Sequence, residues 1–362
     1  MTNLTPGEQA FEIALRFFRE VVTPRAQEID QDSIALKEIV DGLCERDLMA
    51  LSRPAVYGGP EMPAPLFRRY QEEIARTSGA LAFLTTQHQS AVSMVARGEN
   101  QDLAARYLPL MGDGRKLVGI GFSQLRRPGP SIMRAEEIEG GYRLDGQVPW
   151  ITGGGFFPEF MIGAALPDGR AVFGVVPLSD QADGSVKVSP PLRLAAMESA
   201  NTVTAEFNGY FMPNEMASFT RPPNWIRNND QINIALQGHF ALGCAQAGID
   251  IVRQAAEKRK LPFLSDAASL LERELADCHE ATAEAQLSVD EETTAERLEV
   301  RAWAIDLAVR CGHAAITASS GAANILTHPA QRVYREALVY TVSAQTTPVM
   351  EATMRRLVRA PR

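Results

Sequence analysis

The stretch Tyr142-Arg143-Leu144-Asp145-Gly146-Gln147-Val148-Pro149-Trp150-Ile151-Thr152-Gly153 decides how the rest of the chain is read. Asp145-Gly146 is a pair favoured in two-residue hairpin turns, so Gly140 to Thr152 is expected to form a strand-turn-strand unit. The unit ends on a flat indole and a hydroxyl, followed by Gly153-Gly154-Gly155, where backbone can approach a ligand closely. Other short apolar runs surround it. Val118 to Phe122 comes before it. Phe160 to Leu166 and Ala171 to Leu178 come after it, joined by Pro167-Asp168-Gly169-Arg170, and then Val203 to Phe207 and Gly209 to Met212. Several short strands with turns between them predict a small β-barrel or sandwich over residues 116–214.

Both flanks read as helices. In residues 1–115, Phe11, Ala14, Leu15, Phe18 and Val22 recur at three- and four-residue steps, and Ile34 to Met49 and Ala64 to Arg76 repeat the spacing. Pro54 to Pro60, rich in turn formers, separates the latter two. In residues 215–362, Ile232 to Glu257 is apolar around much of its surface and carries small residues at Gly238, Gly243, Ala245, Ala247 and Gly248, as a helix buried in a bundle does. Ser265 to Ala285 and Thr294 to Ile325 predict two more long helices, with Ser265-Asp266 and Asp290-Glu291-Glu292 at their starts. Gln331 to Leu357 predicts a last helix, broken near Pro348. The expectation is an α+β multidomain chain: N-terminal helical domain, central small β-barrel or sandwich, C-terminal four-helix bundle.

Composition narrows the function class. The chain has 362 residues, 45% apolar and 22% charged, with a formal net charge of −8. An acidic chain does not suit a broad nucleic-acid surface. No run approaches the roughly 20 apolar residues of a membrane span, and Met1 to Gln9 lacks a basic end followed by an apolar run. Cys44, Cys244, Cys278 and Cys311 lie far apart, so free buried thiols and a cytoplasmic location are expected. His279, His313 and His328 show no metal-ligand spacing, and no metal is expected. No Ser-His-Asp elbow and no Rossmann or P-loop glycine pattern is present.

The segment from Tyr142 to Thr152 resembles the strand pattern ending in Trp-Ile-Thr of the acyl-CoA dehydrogenase family. Four other stretches resemble the family in the same order. They are Tyr57-Gly58-Gly59; Arg106-Tyr107-Leu108-Pro109; Met197 through Ser199, Thr202 and Phe207 to Pro213; and Ser320-Gly321 followed by Pro329, Arg332, Tyr334 and Arg335. The resemblance implies FAD as cofactor, with Phe122, Ser123, Trp150, Ile151, Thr152, Arg259, Gly321 and Thr346 as its contacts. It also implies an acyl thioester or other acyl small molecule as substrate, an electron acceptor or oxygen as co-substrate, and a homodimer or homotetramer. In such an assembly Arg259 would reach the flavin diphosphate of a neighbouring subunit, a role suited to the bidentate guanidinium fork. Independently of the resemblance, Trp150 offers a flat apolar wall and Thr152 a hydroxyl and an amide, which a flavin ring requires.

The departures from the family touch the chemistry. The Gly-Ser-Asp element is missing from a shortened loop, Phe122 to Ser131, in which Ser123 takes the Thr place. The usual base, a Glu that must reach a proton alpha to the thioester carbonyl, falls at Ala344 in Ser343-Ala344-Gln345-Thr346. The alternative Glu on the first bundle helix falls at Asn233, with Ile234 in place of its Arg. Candidate substitutes are His239, as base or as donor in oxygen chemistry, and Glu336 beside Arg335. Each has a plainer reading, as a hydrogen-bonded core histidine and a structural ion pair. For His88 a packing or capping role is expected. Three functions follow: an FAD-dependent oxidoreductase acting on a CH–CH group of an acyl substrate, a flavin-dependent monooxygenase on the same fold, and a catalytically inactive flavin-binding or partner subunit.

Overall fold

The computed structural model describes residues 4–287, 290 and 292–358. Residues 1–3 of the opening segment and Glu291 of the acidic run lie outside them. Six helices come first: α1 (Pro6–Phe17), α2 (Thr23–Gln31), α3 (Ser33–Cys44), α4 (Ala64–Thr77), α5 (Gly79–Ala96) and α6 (Gln101–Met111). Their starts are written in short side chains. Thr5 and Glu8 form a capping box ahead of α1, Ser78 caps α5, and Asn100 caps α6.

Eight strands follow: β1 (Val118–Gly121), β2 (Met133–Ile138), β3 (Gly141–Thr152), β4 (Glu159–Ala165), β5 (Ala171–Pro177), β6 (Val186–Val188), β7 (Thr202–Pro213) and β8 (Ala217–Arg221). All are hydrogen-bonded into one sheet, in the order β6-β7-β3-β2-β4-β5-β8 with β1 beside β4. The sheet runs past residue 214, because β8 pairs with β5. Asp145-Gly146 is not the hairpin turn. β3 continues through it, and the turn falls at Glu139-Gly140, where Gly140 has φ +81°. The register against β7 slips between Leu144 and Asp145, and Asp145 accepts a hydrogen bond from the Gly209 amide (2.8 Å). Turn residues within a long strand therefore mark a bulge here.

The last part contains α7 (Trp225–Asn233), α8 (Gly238–Arg259), α9 (Pro262–Glu284), α10 (Thr294–Ser319), α11 (Pro329–Val342) and α12 (Thr347–Leu357). The helix expected from Ile232 to Glu257 is two pieces, and α9 starts at Pro262 rather than at Ser265, with Pro at its tolerated first position. α8 runs between α4 and α10. Its small residues permit the approach: a Cβ on Gly243 would lie 2.1 Å from the Glu72 carbonyl, and one on Gly248 would lie 2.6 Å from the Cys311 backbone. One apolar core joins the N-terminal helices, β3, β4 and β7 to α8, α10 and α11. Among the described residues no helix is long and apolar enough to cross a membrane. All four cysteines are buried and free.

Candidate active site

A cavity of about 1390 Å³ opens where the three parts meet. Its sheet side carries Phe122, Ser123, Trp150, Thr152 and Thr202. The Trp150 position has a local cause. Pro149 has no amide to give to a ladder, and the β3–β7 register breaks between Val148 and Ile151, so this segment bulges. The indole is left 50% exposed, while Ile151 on the opposite face is fully buried in the core. Thr152 pairs with Thr202, their hydroxyls 3.0 Å apart. Ser123 opens a single 3₁₀ turn, and its hydroxyl is buried without a partner. An open aromatic face and an orphaned hydroxyl on one wall fit a flat cofactor with a polar edge.

The opposite wall comes from the C-terminal helices. Asn233 and Ile234, Ser343, Ala344, Gln345 and Thr346 all line the cavity. Thr346 caps α12, accepting from the Val349 amide at 3.4 Å. Ala344 follows the end of α11 with φ +48°, a left-handed conformation more often given to glycine after a helix. Arg301, which the sequence reasoning did not single out, braces this corner. It is 2% exposed and donates to the Ser343 carbonyl at 3.1 Å. Among the described residues no carboxylate pairs with it, and burial pulls its pKa down to about 10. No spacing in the sequence marks it, since position 343 lies 42 residues away.

Two carboxylates line the cavity among the described residues, Glu61 and Asp230. Glu61 is exposed, and Asp230 is held in a bidentate pair by Arg126 of the shortened loop (2.7 and 2.8 Å). That pair ties the loop to α7.

Neither substitute base reaches the cavity. His239 bonds through Nδ1 to Glu72 Oε1 at 2.5 Å, between α8 and α4. Glu336 is fully buried. It accepts from Arg332 (2.9 and 3.1 Å) and from the Gly79 amide at the start of α5 (2.9 Å). Burial pushes its carboxyl above the usual range despite the arginine. Both placements have one cause: each side chain faces a neighbouring helix across a packed joint, which helical spacing alone does not reveal. Arg259 and Gly321 also lie outside the cavity. Arg259 donates to the Ala318 carbonyl at 3.0 Å, and at about 1.5 Å rise per residue it sits roughly 28 Å along α8 from Phe240, which lines the cavity. His88 is buried, with Nδ1 accepting from the Val118 amide (2.9 Å) and Nε2 donating to the Met111 carbonyl (3.0 Å), so it joins α5 to β1.

Residues 7–115 match the family model described as the acyl-CoA dehydrogenase N-terminal domain. Butyryl-CoA dehydrogenase from Megasphaera elsdenii superposes with a TM-score of 0.80 over 99% of this chain and 100% of that one, at 17% identity. Residues 7–115 are similar to the N-terminal domain of the acyl-CoA dehydrogenase family, and the whole chain has that family's fold. The fold is not confined to dehydrogenases. A dibenzothiophene monooxygenase from Paenibacillus sp. A11-2 superposes with a TM-score of 0.75 over 98% of both chains, also at 17% identity. Among curated sequences, a mitochondrial 2-methylacyl-CoA dehydrogenase of Solanum tuberosum is 24% identical over 215 residues. That alignment spans 58% of this chain and 52% of the relative, about half its length. At these identities the solved structures show the acyl-CoA dehydrogenase fold and nothing finer.

Proposed function

We propose that this protein is an FAD-dependent oxidoreductase of the acyl-CoA dehydrogenase type, acting on a CH–CH group of an acyl thioester or related acyl substrate. The observation that carries the reading is the half-exposed Trp150 beside Thr152 and the orphaned Ser123 hydroxyl on one wall of a cavity of about 1390 Å³. FAD, when bound, supplies the hydride acceptor. Trp150 gives its ring a flat wall, and Thr152 and Ser123 give its polar edge hydroxyls. Phe67, Phe83 and Phe240 line the cavity and exclude water from an apolar chain. Arg259 and Gly321 fit the reading as contacts with the flavin of a neighbouring copy in a homodimer or homotetramer, which sedimentation tests directly.

A second reading has its own observation. Ala344 faces the cavity where a base would stand, and Arg126 occupies both oxygens of Asp230. A monooxygenase reaction using reduced flavin and oxygen needs no carboxylate to take an alpha proton. One experiment separates the two. The purified protein is titrated with FAD and then exposed without oxygen to a panel of acyl-CoA thioesters. Bleaching of the flavin absorbance supports the dehydrogenase. No bleaching, with oxygen-dependent product from supplied reduced flavin, supports the monooxygenase. Failure to bind flavin overturns both.

A further inference from the structure

Outside the cavity, three helices bring together a cluster that no spacing in the sequence announces. Glu72 is on α4, His239 on α8 and His279 on α9, and none of the three lines the cavity. Glu72 Oε1 lies 2.5 Å from His239 Nδ1 and 3.2 Å from His279 Nε2. One ligating atom from each residue falls within 4.8 Å of the other two. The imidazole rings stand edge to face, with centroids 6.3 Å apart at 78°. Burial would raise the Glu72 carboxyl, but the two histidines outweigh it and hold the group below its usual range.

We propose that Glu72, His239 and His279 bind one zinc-class divalent ion that clamps α4 of the N-terminal domain to α8 and α9 of the bundle. Two imidazole nitrogens and one carboxylate oxygen form a donor set suited to zinc, whereas magnesium and calcium take sets built from oxygen. Zinc holds such ligands at about 2.0–2.1 Å, which places neighbouring ligand atoms of a tetrahedron about 3.3 Å apart. The 3.2 Å pair already has that separation. The 2.5 Å pair opens by under about 1 Å when the ion replaces the hydrogen bond. Access and burial are divided suitably. The His239 side chain is 8% exposed and fixed, Glu72 is 18% exposed, and His279 at 47% leaves a path for the ion and a fourth position for water. The inference stands apart from the flavin reading, because the cluster does not border the cavity.

The test uses the full chain without a histidine tag, freed of metal by a chelator and titrated with zinc chloride in a calorimeter, with magnesium chloride as control. The expected result is saturable binding of one zinc per chain with a raised melting temperature, and no response to magnesium. His279→Ala, at the half-exposed ligand, weakens zinc binding by more than about tenfold and removes the melting shift. Glu72→Gln, which keeps the side chain's shape, does the same. Absence of saturable one-to-one binding overturns the proposal. So does undiminished affinity in both variants, which would place the ion elsewhere.

Discussion

The two walls of the cavity differ in what they retain. The sheet wall keeps Trp150 and Thr152 at a bulge that turns the indole toward the cavity, while Ile151, expected as a cofactor contact, points into the core. The helical wall carries Ala344, Asn233 and Ile234, with the buried Arg301 beside them and, among the described residues, no carboxylate paired to it. The sheet wall is set by backbone pairing, which tolerates few changes without losing register. The helical wall is set by single side chains on helix ends, each replaceable while the packing behind it holds. The two walls of the cavity are therefore under separate structural control, one by backbone pairing and the other by single side chains.

The largest effect is expected where the helical wall is anchored. Arg332 and Glu336 form a fully enclosed pair on α11, and Arg332 also reaches Gln27 (2.7 Å). Arg332→Met leaves a buried carboxylate without its partner and is expected to cost about 3–5 kcal/mol in urea unfolding. A loss under about 1 kcal/mol would mean that apolar packing alone holds this wall.

The joint behind the sheet wall gives a pH effect. Burial pulls the His88 pKa down from 6.5 to about 4. The unfolded chain takes up this proton first as pH falls, so the contribution is complete above about pH 6.5 and is lost progressively toward pH 4. Its full size is on the order of 3 kcal/mol. His88→Gln should flatten that part of the stability profile, measured by denaturant unfolding at successive pH values. An unchanged slope would show that the joint does not depend on a neutral imidazole.

A smaller effect tests the sheet wall itself. Trp150→Ala removes the exposed ring without touching the core and is expected to weaken FAD binding about tenfold to a hundredfold in a fluorescence titration, with the melting temperature nearly unchanged. Equal affinity would move the flavin away from this wall. The smallest effect concerns Ala344, held at φ +48°. Ala344→Gly relieves a left-handed conformation and should stabilise the chain by about 1 kcal/mol, read from the denaturation midpoint. A destabilised variant would show that the strain is already absorbed by the Arg301 contact.

The sequence by itself determined the three-part order and most of the helices and strands. Those features rest on local pattern: apolar periodicity, capping residues such as Ser78 and Asn100, and the run ending in Trp150-Ile151-Thr152. Only the tertiary structure decided that Asp145-Gly146 lies inside a strand, that His239 and Glu336 turn away from the cavity, and that Arg301 stands behind Ser343. It also brought Glu72, His239 and His279 to one point. Each of these outcomes depends on which residue, tens or hundreds of positions away, lies across a packed joint. Local periodicity fixes the face a side chain occupies, and packing alone fixes what that face meets.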